Sequence, residues 1–314
     1  MSIIERAASR IQPQQPHPGL TDVAPAVAPI VAPIVVPVVQ TTVAPVAETG
    51  PLAETAPVAT PAPEQQAAVA PGKAGRTLEL DLARMQEIGL VTAAGGRTML
   101  VEDFRIIKRP LIKRAIAPRV AGTNPGNLIM VTSSLPGEGK TYCSINLAMS
   151  IAMELDHTVL LVDADVARPS VLRTLGVPPQ RGLMDVLLDD QVDMADVMFR
   201  TNVPTLTILP AGASNLRATE LLASQAMTAL VLQIANRYPD RIVIFDSPPL
   251  LLTSEAAVLA SHMGQIVVVV EAEQTTQHAV QASLAQLEGM ANVNLIYNKS
   301  RNFPGTTTYD YHYG

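Results

Sequence analysis

The most informative part of this chain is the stretch LIMVTSSLPGEGKTYCSINLAMSIA, residues 128–152. An apolar run is followed by a loop containing Gly137 and Gly139, and then by a helix-length segment that opens near Lys140. Glycines let a loop turn its backbone N–H groups toward an anion, and a helix N-terminus adds partial positive charge. Lys140 is expected to reach the β- and γ-phosphates of a nucleotide, and the Thr141 hydroxyl to ligate Mg²⁺. The stretch therefore predicts a strand, a phosphate-binding loop and a helix.

The loop departs from the strict G-x-x-x-x-G-K-[ST] pattern because Ser134 stands at the first glycine position. The competing interpretation is a glycine loop with an exposed lysine, but it does not explain why Gly-Lys-Thr falls at the carboxyl end of a strand. Tyr142, within the predicted helix, is expected to pack through its ring. Nucleotide binding is assigned to the loop and the first helical turn, namely Pro136, Gly137, Glu138, Gly139, Lys140, Thr141 and Tyr142.

Two more apolar runs end in acidic residues. The run in TVLLVDADVARPS, residues 158–170, ends at Asp163 and Asp165, and the run in RIVIFDSPPLLL, residues 241–252, ends at Asp246. Ligands bind at the carboxyl ends of strands in α/β sheets, so these acids are expected beside the phosphate loop. One acid of the first pair can hold Mg²⁺ and the other can accept a proton from an attacking hydroxyl, although a solvated turn is the alternative for this pair. Asp246 occupies a Walker-B position, and the three strand ends together predict a Mg²⁺–nucleoside triphosphate site.

Apolar runs alternate with amphipathic segments over most of the chain. This alternation predicts an α/β fold, a mostly parallel P-loop NTPase-like sheet with helices on both faces. The predicted strands are residues 128–132, 158–163, 206–210, 241–246, 265–271 and 292–298. The predicted helices are residues 78–88, 99–117, 140–154, 219–237, 253–261 and 275–288.

Residues 1–75 have a different composition. Residues 12–75 contain half of the 26 prolines, no aromatic residue and few charges, so they cannot bury enough apolar surface to offset their ordering entropy. We interpret them as a disordered, partly polyproline-II arm that follows a short amphipathic helix at residues 2–11. A spanning helix within residues 23–46 is disfavoured because prolines recur there every four residues.

Overall composition narrows the possible functions. The chain has 314 residues and a net charge of −6, from 22 Lys+Arg against 28 Asp+Glu, and lacks the basic surface typical of a sequence-independent nucleic-acid binder. Its single cysteine, Cys143, excludes an internal disulfide framework and a multi-cysteine zinc site. The first residues lack the apolar segment of a secretory signal, which favours a cytoplasmic location.

The motifs SSLPGEGKT, VLLVDADVARPS and IVIFDSPP resemble, in order, the Walker A, Walker A′ and Walker B motifs of the bacterial tyrosine kinase family. The resemblance covers about residues 98–314 and is nearest to the exopolysaccharide- and exosortase-associated tyrosine autokinases. GLMDVLL (residues 182–188), LPAG (residues 209–212) and ATELLAS (residues 218–224) resemble its connecting segments. The division implied is an arm at 1–75, a kinase domain at 76–299 and a flexible tail at 300–314.

The resemblance implies roles for individual residues. Lys140, Asp163, Asp165 and Asp246 would be catalytic, Asp163 and Asp246 would join Thr141 in serving the metal, and Asn298 would lie where related ATPases read the adenine ring. One departure is Ala167, which stands where the family usually has arginine, with Arg168 beside it. Septum-positioning and partition ATPases carry a lysine at the position of Leu135, so the resemblance favours the kinase branch.

The last six residues, YDYHYG, contain Tyr309, Tyr311 and Tyr313. They follow a segment with turn signals, and an accessible phenol can enter a neighbour's active site whereas a buried one cannot. We therefore predict that these three tyrosines are phosphoacceptors. The alternative is a terminal strand with its rings on one face, but the tail has no apolar partners for such a strand.

Glu102, Arg105 and Lys108 recur every three residues in a predicted helix. They resemble the family's Glu-x-x-Arg-x-x-Arg helix, which closes a ring of subunits, with lysine in the third place. The residues alone favour an ordinary solvated basic face. The resemblance further implies a homo-oligomer, a membrane-embedded activator of the chain-length-determinant type, recruitment to the inner face of the plasma membrane and no nucleic-acid partner.

The function predicted from these motifs is an ATP- and Mg²⁺-dependent tyrosine autokinase. It would phosphorylate its own C-terminal tyrosines in trans and regulate exopolysaccharide synthesis and export. Two alternatives remain. One is a P-loop ATPase switch that binds a membrane partner without kinase activity, and the other is a nucleotide-dependent scaffold.

Overall fold

The computed structural model describes residues 34–37, 76–237 and 240–300. The strands form one nine-stranded sheet with the order β1-β9-β8-β3-β7-β4-β6-β5-β2. They are β1 (Ile34–Pro37), β2 (Thr77–Leu78), β3 (Leu128–Ser133), β4 (Thr158–Asp163), β5 (Phe199–Thr201), β6 (Leu206–Leu209), β7 (Arg241–Asp246), β8 (Gln265–Glu271) and β9 (Val293–Asn298). The helices are α1 (Leu82–Glu87), α2 (Met99–Ala115), α3 (Lys140–Ala152), α4 (Val171–Leu175), α5 (Leu183–Leu188), α6 (Met194–Val197), α7 (Ala218–Leu222), α8 (Gln225–Arg237), α9 (Ser254–Ala260) and α10 (Gln277–Gln286).

The six apolar runs predicted as strands form the parallel centre of this sheet, in the order β9-β8-β3-β7-β4-β6. Their near-continuous apolar sequence is typical of strands buried on both faces. Because all six run in one direction, their carboxyl ends meet at one edge. The predicted α/β class and mostly parallel topology are confirmed.

The core has two layers, one on each face of the sheet. Successive side chains of a strand point to opposite faces, so in β3 Ile129 and Val131 join one buried cluster while Leu128 and Met130 join the other. Helices α2 and α3 cover the first face, whereas α8 and α9 contribute to the second cluster. Within the described residues, the carboxyl ends of the strands and the loops that follow them are the places that the helices leave open to a ligand.

Two predicted helices begin or continue differently in the structure. The segment predicted as helix from residue 78 starts as the short strand β2, and α1 begins at Leu82 because Asp81 Oδ1 accepts a hydrogen bond from Arg84 N at 2.9 Å. The predicted helix 219–237 is divided into α7 and α8. There Ser224 Oγ accepts from Met227 N at 3.1 Å, the bond typical of a new helix N-cap.

The arm contributes one strand. Ile34–Pro37 pairs antiparallel with β9 at the sheet edge, within a segment that the composition predicts to be disordered. Proline is compatible with this place because an edge strand does not need every N–H for pairing. Outside these four residues, the disordered, partly polyproline-II arm stays a prediction. The predicted helix at residues 2–11, the rest of the arm and the tail 301–314 lie outside the described residues. Among the residues described, no helix combines the length and apolar character that a membrane span requires.

Lys108 does not lie on an exposed face with Glu102 and Arg105. Its side chain is buried against the C-terminal end of α3, where Nζ contacts Ser150 O and Glu154 Oε1, each at 2.5 Å. Residues three apart on a helix are displaced from one another by about 60° around its axis. Lys108, six residues after Glu102, is therefore turned away from the exposed pair and toward the core. Glu102 and Arg105 form an exposed ion pair at 2.9 Å. Lys108 therefore does not share an exposed face with Glu102 and Arg105, and the oligomer interface itself stays a prediction.

We expect Lys108→Met to lower the free energy of unfolding by about 1 to 3 kcal/mol, the range for losing hydrogen bonds to a charged group. The carbonyl of Ser150 then lacks a buried donor, while the methionine keeps most of the apolar packing. Urea denaturation of the purified chain measures this change. Arg105→Met, which removes an exposed pair, serves as the control and is expected to change the unfolding free energy by less than about 1 kcal/mol. Equal effects of the two substitutions would contradict the structural assignment.

Candidate active site

The loop between β3 and α3 is shaped by two glycines with positive φ. Gly137 has φ 88° and Gly139 has φ 96°, in the left-handed region where other residues are strained. Gly139 is also confined by space, because a Cβ there would lie 2.1 Å from Asn298 Nδ2. The loop thus passes close to the end of β9 before α3 begins at Lys140, as the sequence predicts for a phosphate-binding loop.

Lys140 and Asp165 form an ion pair at the mouth of this loop. Lys140 Nζ lies 2.7 Å from Asp165 Oδ2, and both side chains are mostly buried. Asp165 also accepts a hydrogen bond from Arg168 N at 3.1 Å, which fixes the turn after β4. Arg168 itself is exposed, and Ala167 contributes no charged group. The second acid after β4 therefore contacts the phosphate-loop lysine directly.

Asp246 is at the centre of a hydroxyl cluster and is fully buried. Thr141 Oγ1 donates to Asp246 Oδ2 at 2.7 Å, and Ser144 Oγ lies 3.0 Å from Asp246 Oδ1. Ser170 Oγ lies 2.8 Å from Thr141 Oγ1. Since the Thr141 proton is used toward Asp246, Ser170 is the donor in that contact. The carboxylate thus has a partner at each oxygen.

Asp163 has one carboxylate oxygen without a partner among the described residues. Oδ2 accepts from Ser170 N and Val171 N, both at 3.0 Å, whereas the buried Oδ1 has no hydrogen-bond partner there. Asp163 and Asp246 are register partners on adjacent strands. Burial, followed by the charge of Asp246, raises the pKa of Asp163 to about 7, and burial raises the pKa of Asp246 to about 6. Two acids held this close favour a cation between or beside them.

These residues fit a bound Mg²⁺. In the described ranges no group of three or more His, Cys, Asp or Glu side chains is placed to hold a metal by itself. Mg²⁺, however, is usually held by one or two carboxylates together with a substrate's phosphates. The unpartnered Oδ1 of Asp163, with Thr141 and Asp246, supplies hard oxygen ligands of that kind. The ion would neutralise phosphate charge at this place.

Asp163→Asn is expected to stabilise the nucleotide-free chain at pH 8 but not at pH 5. The folded-state pKa of about 7 exceeds the unfolded value of about 3.9, so the stability contributed by protonated Asp163 is complete below about pH 4 and is lost as the pH rises through 7. Asparagine avoids this loss, and the gain at pH 8 is on the order of 1 kcal/mol or more, about 2 to 4 °C in melting temperature.

Thermal unfolding at both pH values, without nucleotide, checks this expectation. Asp190→Asn, at an exposed position, is the control and is expected to behave as wild type at both pH values. A melting temperature for Asp163→Asn that equals the wild-type value at pH 8 would show that the buried charge carries no such cost.

Three further predicted site residues, Glu138, Tyr142 and Asn298, use their side chains for hydrogen bonds to the backbone. Glu138 is buried, with its carboxylate turned back to Leu135 N at 2.6 Å. Tyr142 turns its ring to the core and its Oη donates to Gly89 O at 2.6 Å, so only its backbone belongs to the site. Asn298 Nδ2 donates to Glu138 O at 2.9 Å. Its contact with an adenine ring stays a prediction.

Sequence reasoning missed three residues of this region: Ser144, Ser170 and Thr275. Ser170 follows Arg168-Pro169 just before α4, and that position was a recognisable N-cap signal. Ser144 lies one helical turn after Lys140 on the same face, a spacing that could also have been noticed. No local signal marks Thr275, which is remote in sequence from the loop that it contacts.

The family model described as an AAA domain matches residues 126–300. Tyrosine-protein kinase ptk of Acinetobacter johnsonii is 30% identical over 162 residues, which are 52% of this chain and 22% of the relative. Tyrosine-protein kinase YwqD of Bacillus subtilis is 33% identical over 147 residues, 47% of this chain and 60% of the relative. The chain thus spans less than two thirds of either relative.

Among solved structures, the kinase domain of the Escherichia coli tyrosine kinase ETK is similar to this chain with a TM-score of 0.56 and 26% identity. The similarity covers 67% of this chain and 80% of that domain.

Proposed function

Because the chain belongs to the AAA-domain family, and within it to the bacterial tyrosine kinases, we propose that it is an ATP-dependent tyrosine autokinase that phosphorylates its own C-terminal tyrosines in trans. The observation that carries this proposal is the convergence of Lys140, Thr141, Asp163, Asp165 and Asp246 at one sheet edge. Their contacts connect a phosphate-binding loop to three acids from two strands.

The proposed reaction transfers the γ-phosphoryl group of ATP to a phenol. A bond forms between the phenolic oxygen and the γ-phosphorus, the bond from that phosphorus to the β–γ bridging oxygen breaks, and ADP leaves. Asp165 takes the phenolic proton, and Lys140 neutralises charge on the phosphates. Such a reaction needs mainly positioning and charge stabilisation from the protein. When bound, Mg²⁺ would be held by Thr141, Asp163 and Asp246 and would supply further charge neutralisation.

The acceptors in this proposal are Tyr309, Tyr311 and Tyr313. Each phosphate adds about −1.5 to −2 charges, so three would repel one another and the acidic site, and would favour release of the tail from a neighbouring subunit. Tyr297 is less suitable because it belongs to β9. Regulation of exopolysaccharide synthesis and export is proposed from the family resemblance.

The proposed assembly is a homo-oligomer, with a ring as its form. Glu102 and Arg105 are exposed and remain available for it, whereas Lys108 is not. Arg109 is exposed one turn after Arg105 and supplies a basic residue on that face. We further propose that a membrane-embedded activator of the chain-length-determinant type recruits the chain to the inner face of the membrane.

Mass spectrometry of the C-terminal peptide, after incubation of the purified chain with Mg²⁺ and ATP, tests the proposed activity. Phosphate on the three tail tyrosines is the expected result. ADP release without phosphotyrosine would instead favour the ATPase switch, and neither product, even with an activating partner, would favour a scaffold.

A further inference from the structure

The phosphate loop is contacted by residues at the carboxyl ends of β8 and β9 and in the segments that follow these strands. Glu138 is only 2% exposed, and its two carboxylate oxygens have different partners. Oε2 accepts from Leu135 N at 2.6 Å within the loop, and Oε1 accepts a short hydrogen bond from Thr275 Oγ1. Thr275 Oγ1 in turn accepts from Glu271 N at 3.1 Å. A directional chain of hydrogen bonds therefore runs from the end of β8 into the loop.

Two more contacts reach the loop from the end of β9. Lys299 Nζ donates to Gly137 O at 2.8 Å and lies 2.9 Å from Glu271 Oε2. Lys299 has φ 58°, a conformation that lysine seldom adopts and that surrounding contacts must hold. Asn298 Nδ2 donates to Glu138 O. Together, Thr275, Asn298 and Lys299 form what we call the loop brace.

The brace determines where loop atoms point. A buried carboxylate is costly unless it is hydrogen-bonded, so Glu138 needs both Leu135 N and Thr275 Oγ1. The bond to Leu135 N closes the loop on itself, and the hydrogen bond from Lys299 Nζ fixes the direction of the Gly137 carbonyl. The neighbouring N–H groups then remain oriented as an anion requires.

We propose that Thr275 and Lys299 are positioning residues that hold the phosphate loop in its binding conformation before nucleotide arrives. This inference rests on the proposed function, because the ligand of the loop is the nucleotide. Preorganised donors need no reordering when the anion binds, so their benefit is tighter nucleotide binding. Neither residue touches the reacting atoms in this role.

Hydrogen exchange of the nucleotide-free full chain tests the brace itself. In Thr275→Val the Glu138 carboxylate loses a donor, and we expect the Leu135 amide to exchange at least about tenfold faster than in wild type. Thr275→Ser retains the hydroxyl and is expected to restore slow exchange. An unchanged Leu135 exchange rate in Thr275→Val would overturn the inference, whether or not the chain binds nucleotide.

Calorimetric titration with Mg²⁺ and ADP tests whether loss of the brace weakens nucleotide binding. Thr275→Val is expected to bind ADP about tenfold more weakly than wild type, and Lys299→Met is also expected to bind ADP more weakly. The ADP affinity of Thr275→Ser is expected to remain within about twofold of the wild-type value. In the autophosphorylation assay, KM for ATP is expected to rise more than kcat falls. A merely structural role would instead lower the active fraction without changing KM.

Thr201→Val is the matched control, because Thr201 is also buried and donates to backbone carbonyls, but on β5 at the far side of the sheet. It is expected to bind ADP as wild type does. Equal weakening by Thr201→Val and Thr275→Val, or wild-type affinity in Thr275→Val, would overturn the inference. A wild-type chain that binds no nucleotide would instead overturn the proposed function, and the exchange experiment would still decide on the brace.

Discussion

Replacement of Lys140 by methionine is expected to lower tyrosine phosphorylation by the full chain at least about a thousandfold, the scale of losing a preorganised charge at a phosphoryl-transfer site. Methionine keeps the length and apolar stem of the side chain but cannot neutralise phosphate charge. It also leaves Asp165 without the partner that lies 2.7 Å away in the structure. Both changes affect the step in which charge moves from ATP to the phenol.

Phosphotyrosine blotting and tail mass spectrometry, with Mg²⁺ and ATP in excess, measure this loss. Lys113→Met removes an exposed lysine of α2 and is the control, expected to leave the rate within about twofold. Melting temperatures of both variants show whether each is folded. If a folded Lys140→Met chain kept a tenth or more of the wild-type rate, the phosphate site proposed for the loop would be wrong.

The second large effect is expected from replacing Tyr309, Tyr311 and Tyr313 together with phenylalanine. Each substitution removes only the acceptor oxygen, so nearly all phosphotyrosine should disappear while ADP binding stays at the wild-type value. The residues proposed to hold the phosphates and the metal lie outside the tail and are untouched by this change. The loss therefore reports the acceptor and not the donor site.

Mixing two variant chains then tests whether one chain phosphorylates the tail of another. The triple phenylalanine chain retains a complete site, and the Lys140→Met chain retains all tail tyrosines. Together they are expected to yield phosphate on the tail of the Lys140→Met chain only. Tyr297→Phe, in β9, is the matched control and should leave tail phosphorylation unchanged. Persistent phosphotyrosine in the triple variant would move the acceptor elsewhere in the chain.

Much of the fold could be predicted because buried strands have a recognisable local pattern of apolar residues. Each of the six central strands reads as an apolar run, and such runs are the pattern of strands covered on both faces. Helix limits were less certain, as the division at Ser224 illustrates, because a cap competes with a continuing helix and the surroundings decide between them.

The candidate site followed from the same reasoning for Lys140, Thr141, Asp163, Asp165 and Asp246. Chain direction alone brings the ends of parallel strands together, so acids at those ends had to meet the loop after β3. The pairing of Lys140 with Asp165, and of Thr141 with Asp246, is visible only in the tertiary structure. The position of an acid at a strand end predicts the sheet edge where it lies, but not the side chain that it contacts there.

The sequence by itself determined the parallel sheet, the loop that can hold a phosphate and the edge where the acids gather, since these depend on periodicity and strand direction. Only the tertiary structure decided that Lys108 is buried beneath α3 and that Glu138 meets Thr275, a residue 137 positions away. Both contacts join segments that are remote along the chain. Their geometry depends on how whole helices and strands pack, which no local pattern encodes.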